Sequence, residues 1–390
     1  MDGAENSSAG EEKTGTRGTL RIAQVDAHAP DAAATLERAL GTGPFALVCL
    51  FASPDADFHA LMRGARGLFG TAPVMACTTA GELGRAGYEE GQIIAIALPA
   101  ANFTVTTYAI APLGGIDPQA EIDRLIQNRL SLAARAPDMA QEFAFLMVDG
   151  LSLREEHLTA TLAAGLGAMP LFGGSSGDGT DFKATYLAHD GAILQDAALL
   201  ALVRTRCPVR VFSLDHLVPT DTRMVVTRAD PERRIVHEIN AEPAAREYAR
   251  LLGKDPHQLS PFIFAAHPVV VRLGDTHHVR AIQQVDGNGD LVFFSAINEG
   301  MVLTLASHQD IASHLEAGLA DLGRDGVPDH ILGCDCILRR IEAGQMQKTH
   351  EISDILRRHR VVGFSTYGEQ IGALHVNQTL TGVAIYPPEA

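Results

Sequence analysis

Four groups of residues in this chain have types and spacings that can do chemistry. Gly173-Gly174-Ser175-Ser176-Gly177 satisfies G-x-S-x-G, the turn that lifts a nucleophilic serine above an α/β-hydrolase sheet. That turn requires a helix to start straight after the serine, and Asp178-Gly179-Thr180-Asp181 is a poor helix start. The stretch therefore reads as a Gly/Ser-rich loop, with Ser175 or Ser176 and His189 left as the enzymatic alternative. Cys334-Asp335-Cys336 places two sulfurs on one face of a strand, but no second cysteine pair completes a closed zinc site, so a reduced, buried pair is expected. His267 stands at the mouth of the apolar run Pro268 to Leu273, and His375 follows Glu369 by six residues in His375-Val376-Asn377-Gln378-Thr379. A lone histidine in such a place is more often a hydrogen-bonded structural residue than an iron ligand. Arg272 and Arg280, on the strands that follow His267, are either surface cations or partners of a carboxylate-bearing ligand. Asp286-Gly287-Asn288-Gly289-Asp290 half-matches a calcium loop, but Leu291 stands where the glycine belongs and the last acid is missing. A hairpin turn is expected there, and a solvated turn at His277-His278.

The elements that must position these residues repeat. Val74 to Glu82 runs from an apolar strand into Thr78-Thr79-Ala80-Gly81-Glu82, and Val361 to Glu369 does the same with Ser365-Thr366-Tyr367-Gly368-Glu369. Leu171 to Asp178 is a shortened copy. Each is preceded by an apolar strand and a helical stretch, at Phe45 to Phe69, Phe143 to Leu166 and His330 to Arg358. A strand-helix-strand-loop unit thus occurs three times, which makes the chain α/β. The loop glycine is expected at positive φ, and the loop acid argues against a phosphate cradle. Three copies favour a structural role, with a shared site where the loops converge as the alternative.

Between the units, Ile93 to Leu98 and Ala197 to Val203 are continuously apolar, as strands buried on both faces are. Phe103 to Tyr108 is expected to pair beside the first of these. Asp117 to Ala136 reads as an amphipathic helix with Ile122, Leu125, Ile126, Leu130 and Ala133 on one stripe. Ser53 or Asp55 is the expected cap of the first unit's helix, and Ser152 with Glu155 a capping box for the second. Strands at Val209 to Leu214, Met224 to Thr227 and Ile235 to Ile239 close the first half, and a boundary is placed near Asn240. The expectation is two mixed-sheet domains, residues 19–239 and 240–390, with helices packed on the sheets and a disordered tail at residues 1–18.

At 390 residues and 46% hydrophobic, the chain can bury a core in each domain. A formal charge of −16 disfavours nucleic acid and anionic membrane as partners. No apolar run is long enough to span a bilayer, and no secretion signal is read at the start. Five cysteines, mostly within apolar strands, fit reduced thiols, so a cytoplasmic location is expected.

The three loop motifs, in this order, resemble those of FIST proteins, bacterial intracellular sensory proteins with a FIST N and a FIST C domain. Within that family, His267-Pro268-Val269-Val270-Val271-Arg272, Phe293 to Gly300 and His375 to Thr379 resemble the NosP group of nitric-oxide-responsive haem proteins. That resemblance implies a non-enzymatic sensor binding haem b. His267 or His375 would be the axial metal ligand, and Arg272 and Arg280 would be cations for the propionates. A histidine holding ferrous haem leaves one position open for a small gas. No kinase, receiver or output motif is read, so the signal is expected to leave by contact with a histidine kinase or another signalling protein. The alternative is a FIST sensor of a small metabolite such as an amino acid, bound without haem between the domains, whose acidic loops suit an ammonium group.

Overall fold

The computed structural model describes residues 19–388 except 275 and 325; the tail expected at 1–18 lies outside the described residues. The chain is mixed α/β, and its three repeated units are interlocked. In the first unit, strands Phe45–Ala52 and Val74–Thr78 pair in parallel across helix Phe58–Ala65, with Phe51 opposite Cys77. The second pairs Gln141–Val148 with Leu171–Ser175 across helix Glu155–Leu166. The third pairs His330–Cys336 with Val361–Thr366 across helices Ile337–Gln345 and Thr349–Arg358. Each unit adds an antiparallel strand on one side: Gln92–Pro99, Ala198–Thr205 and Leu380–Ile385.

The other edge of each parallel pair would stand open, and open edges invite foreign strands. Here each loop motif leads into a short hairpin that covers the edge of a different unit. The hairpin Glu82–Gly84 and Gly87–Glu89 adds to the third unit, with Glu82 opposite Phe364. Glu369–Ile371 and Leu374–Val376 add to the second, with Gln370 opposite Gly173. Leu187–His189 and Ala192–Leu194 add to the first, with Leu187 opposite Cys77. The exchange closes a ring of three six-stranded sheets.

The ring buries a shared core. Phe51 stacks on Phe364 with centroids 4.6 Å apart and meets Phe145 edge-on at 6.5 Å, while Phe145 stacks on Phe172 at 5.0 Å. Cys49, Cys77 and Cys334 lie among them as free, buried thiols, and burial pushes Cys49 up to about 12. They pack as small apolar side chains.

A fourth, eight-stranded sheet is built between Leu217 and His308. The boundary expected near Asn240 falls inside it, because Ile235–Ile239 pairs with Leu217–Asp230 before it and Leu291–Phe293 after it. The described residues thus form four sheets. Phe103–Ile110 also departs from expectation: it pairs with Ala198–Thr205 in the second unit. Both edges of Gln92–Pro99 are already taken, by Arg21–Asp26 and Phe45–Ala52. Helix Pro118–Arg135 buries Glu121, Leu125 and Leu132 and leaves Ile126 and Leu130 exposed, so its packed face is rotated from the expected stripe. His277 and His278 lie within strand Thr276–Arg280 rather than in a turn. The Asp286 loop is a hairpin turn: Asp286 Oδ1 accepts from the amides of Asn288 and Asp290, and antiparallel strands flank it.

Candidate functional site

The three loops converge and are stitched to one another by backbone hydrogen bonds. The Ala80 amide donates to Ser365 O and the Ser365 amide to Gly81 O. The Ser175 amide donates to Gly368 O, and the Gly177 amide to Thr78 O. Gly81 has φ 131, as the loop pattern predicts, but Gly177 and Gly368 do not take positive φ. They are glycine for want of space: a Cβ on Gly368 would lie 2.3 Å from His375 Cε1, and one on Gly177 would lie 2.8 Å from the Ala80 backbone nitrogen. The hydroxyls and acids also have local work. Thr79 Oγ1 donates to Glu82 at 2.5 Å, and Thr366 donates to Glu369. Asp178, in the shortened loop, accepts from the amides of Phe182, Lys183 and Ala184. Both Glu82 and Glu369 are fully buried, and burial raises them to about 7 and about 8 against the pull of those hydrogen bonds.

Where the first loop emerges, the structure opens into a cleft of about 570 Å³. It lies beyond the carboxyl ends of the first parallel pair, the position at which open α/β sheets bind ligands. Ser53, Asp55, Gly81, Glu82 and Glu90 form one wall, and Gly179 and Thr180 of the second unit close one end. The opposite wall is Ile337, Arg340 and Ile341 of helix Ile337–Gln345, with Phe262 of helix Pro261–Ala266 as a lip. Phe262 is 62% exposed.

Arg340 is the one cation of this cleft among its described lining residues. Its Nη2 donates to Glu89 O at 2.6 Å and to Glu90 Oε1 at 3.2 Å, and its guanidinium lies over the Tyr88 ring. A Cβ on Gly81 would meet Arg340 Nη1 at 2.4 Å, so the glycine also clears the path for this side chain. The carboxylates of Asp55 and Glu90 against one guanidinium leave the cleft net acidic, with an apolar wall facing them. Such a surface complements a small amphipathic cation or zwitterion.

The sequence candidates lie elsewhere. His375 is buried, with Nδ1 3.3 Å from Gln370 Nε2 and Nε2 3.4 Å from Phe294 O. Gly368 packs against its ring. An iron ligand needs a free nitrogen facing open space, so as packed His375 does not fit haem. Arg280 is buried beside it and donates to the carbonyls of Val279 and His375. Arg272 is exposed and donates to Gly274 O. His267 is half-buried at the end of helix Pro261–Ala266, and its ring makes no hydrogen bond among the described residues. The structure brings together His375 and Arg280 only, and none of the four lines the cleft.

Ser175 and Ser176 are fully buried. Ser175 Oγ accepts from Gln370 and donates to Glu155, while His189 faces Thr107 in another sheet, so no serine–histidine pair forms. Glu155 is no capping-box acid, because it turns to Arg234 at 2.5 Å; the first unit's helix is capped by Asp57, not Ser53 or Asp55. Asp335, between the two cysteines, accepts from Tyr88 and Arg339.

Sequence reasoning missed Arg340, Ile341 and Phe262. One signal was present. Arg339-Arg340 falls in the first turn of a helix, where the macrodipole disfavours cations, and such a pair needs a reason. Arg339 answers to Asp335, and Arg340 to the cleft.

Comparison with protein families matches residues 46–242 to the FIST N domain and residues 244–372 to the FIST C domain. No curated protein matches the chain. The two matched stretches face each other across the cleft, with Ser53 to Thr180 from one and Phe262 to Gln345 from the other. No helix among the described residues is long and apolar enough to cross a membrane.

Proposed function

The chain belongs to the FIST family, whose domains are sensory and signal-transducing rather than catalytic, and from that premise we propose that it senses a small metabolite with an ammonium group, of amino-acid type, in the cleft between its FIST N and FIST C parts. The observation that carries this reading is the cleft's composition: carboxylates from one part face an arginine and an apolar wall from the other. An ammonium would sit toward Asp55 and Glu90, a carboxylate toward Arg340, and a side chain against Ile337, Ile341 and Phe262. A ligand touching both parts stabilises the arrangement in which they are close, and a signal requires that kind of difference. A partner protein, such as a histidine kinase, would read the arrangement.

Thermal-shift and calorimetric titration with amino acids and amines tests this, with neutral sugars as controls, because a ligand of the native state raises its stability. Asp55→Asn combined with Glu90→Gln should weaken binding about tenfold or more, the value of a charge-assisted hydrogen bond. Gly344→Phe should abolish it by filling the cleft, since a Cβ there meets nothing within 4 Å. Absence of binding by every amine-bearing compound, or binding unaffected by Gly344→Phe, refutes the reading.

Haem at His267 is a second reading, favoured by a ring without hydrogen bonds among the described residues that burial holds toward its neutral form. In that reading the signal is nitric oxide at the iron, with Arg272 or Arg280 at the propionates. An absorption spectrum after haemin addition, compared with that of His267→Ala, separates the two.

A further inference from the structure

Behind the apolar wall of the cleft lies a buried polar cluster that the ligand reading does not use. His216 comes from the turn between strands Val209–Leu214 and Leu217–Asp230, His308 from the end of strand Val302–His308, and Glu342 from helix Ile337–Gln345. Glu342 faces His216 Nε2 at 2.8 Å and His308 Nδ1 at 2.9 Å, and those nitrogens are 3.4 Å apart. Three ligating atoms this close have the spacing of a metal site. A hydrogen count decides against one.

Arg339 Nη1 lies 3.0 Å from His216 Nδ1. A guanidinium can only donate, so Nδ1 accepts, and a neutral His216 then carries its hydrogen on Nε2 and donates it to Glu342. Burial lowers the pKa of His216, which keeps the ring neutral. No lone pair remains there for a metal, and two donors do not make a buried site. The same count at His308 gives a different answer. Its Nε2 lies 3.2 Å from the carbonyl of Ala266, which can only accept, so Nε2 carries a hydrogen. Its Nδ1 faces a carboxylate and must carry one as well. Glu342 is that carboxylate in fact, held down to about 2 by the two imidazoles despite its burial.

We propose that His308, as an imidazolium, is a proton-operated clamp that ties together the two helices forming one wall of the cleft. Ala266 ends helix Pro261–Ala266, which carries Phe262, and Glu342 shares its helix with Arg340 and Ile341. His308 joins them through one ring. Losing a proton from Nδ1 turns a lone pair on the carboxylate, and losing it from Nε2 turns one on the carbonyl, so either loss breaks one of the two ties. The other groups facing the cluster are His216 and Asp215 on the turn, His314 on helix Ile311–Leu322, His267 at the end of the Phe262 helix, and Arg339. Asp335 and Tyr88 join through Arg339. The carboxylates of Glu342 and Asp335 are offset by His308 and Arg339 with the proton in place, and Asp215 is exposed to solvent. His308 is 20% exposed at its side chain, so water can exchange the proton. Ligand affinity would rise on the acid side and fall on the alkaline side, a consequence that rests on the cleft being the ligand site.

The clamp is testable without ligand on the full chain. In protein labelled with 15N-histidine, both ring nitrogens of His308 should carry hydrogens on the acid side, at about pH 6. Amide exchange in residues 261–266, corrected for its intrinsic pH dependence, should quicken about tenfold or more by about pH 8.5, the loss of one charge-assisted hydrogen bond. In His308→Gln, whose amide can still reach the Ala266 carbonyl, that pH dependence should vanish. His350→Gln, at a side chain 94% exposed, should behave as the parent. A singly protonated His308 at about pH 6, unchanged exchange across the range, or one tightly held zinc per chain would overturn the clamp. If His308→Gln fails to fold, the ring spectra of the parent protein decide alone. A chain that binds no amine yet shows the exchange change loses its ligand reading and keeps its clamp.

Discussion

Replacing Arg234 by methionine should destabilise the protein by about 3–5 kcal/mol, the cost of removing one partner from a buried ion pair. Arg234 Nη2 donates to Glu155 at 2.5 Å and Glu156 at 2.6 Å, and Nη1 donates to Phe294 O at 2.6 Å. The side chains of Arg234 and Glu155 are 3% and 2% exposed. Glu156 is better placed to lose its partner, since water reaches it and the Ala296 amide also donates to it. The loss therefore falls on Glu155, left without its cation where solvent cannot enter and with the Ser175 hydroxyl at 3.4 Å. These contacts fasten the fourth sheet to the helix of the second unit, so the same change loosens the seam between the FIST N and FIST C parts. Urea unfolding of the parent, Arg234→Met, Glu155→Gln and the double variant forms a cycle that isolates the pair. The double variant should recover at least about half of the loss, because an apolar and a neutral side chain of similar volume replace a buried pair at little cost. A single-variant loss below about 1 kcal/mol, or a double variant weaker than Arg234→Met, would refute the reasoning.

Glu82 and Glu369 should make stability fall as pH rises. Each is held above its ordinary value when folded, so its contribution is fully present below about 4.5 and is lost through about 7 for Glu82 and about 8 for Glu369. Glutamine at either position mimics the protonated acid, so the urea midpoint of each variant should decline less than the parent's across that window, and that of the double variant least. At pH 9 the gain over the parent should be on the order of 3 kcal/mol for Glu82→Gln and on the order of 5 kcal/mol for Glu369→Gln; a parallel decline in variant and parent would show that the carboxyl is not the cause. Gly368→Ala should lower stability by about 1–3 kcal/mol, because its Cβ would press 2.3 Å from the His375 ring in a packed loop. A melting temperature equal to the parent's would mean that the ring yields freely.

Much of the local structure was legible because it is written in neighbouring residues. Apolar runs mark Phe45–Ala52, Gln92–Pro99 and Ala198–Thr205, all buried as expected. The helix of residues 311–322 follows from Asp310, whose side chain caps Ser313 N. The loop motifs were legible as repeated motifs, and the structure places all three in one stitched junction. The candidate site was not legible. His267, His375, Arg272 and Arg280 were chosen by residue type and by resemblance, and the cleft instead joins Glu82 to Arg340 and Phe262. The expected face of helix Pro118–Arg135 failed because periodicity shows that a face exists, while packing against helix Glu155–Leu166 selects it.

By itself the order of residues determined that this chain would be α/β, with a strand-helix-strand-loop unit used three times. Those are consequences of side-chain period, turn chemistry and composition, which act over a few residues at a time. Tertiary structure alone decided which sheet edge each hairpin covers, that the fourth sheet docks through Arg234, and that an acidic wall and an arginine helix meet across a cleft. A strand edge offers the same backbone donors and acceptors to any partner. The choice among them is made by the shared core around Phe51, Phe145 and Phe364, which exists only once all three units have come together.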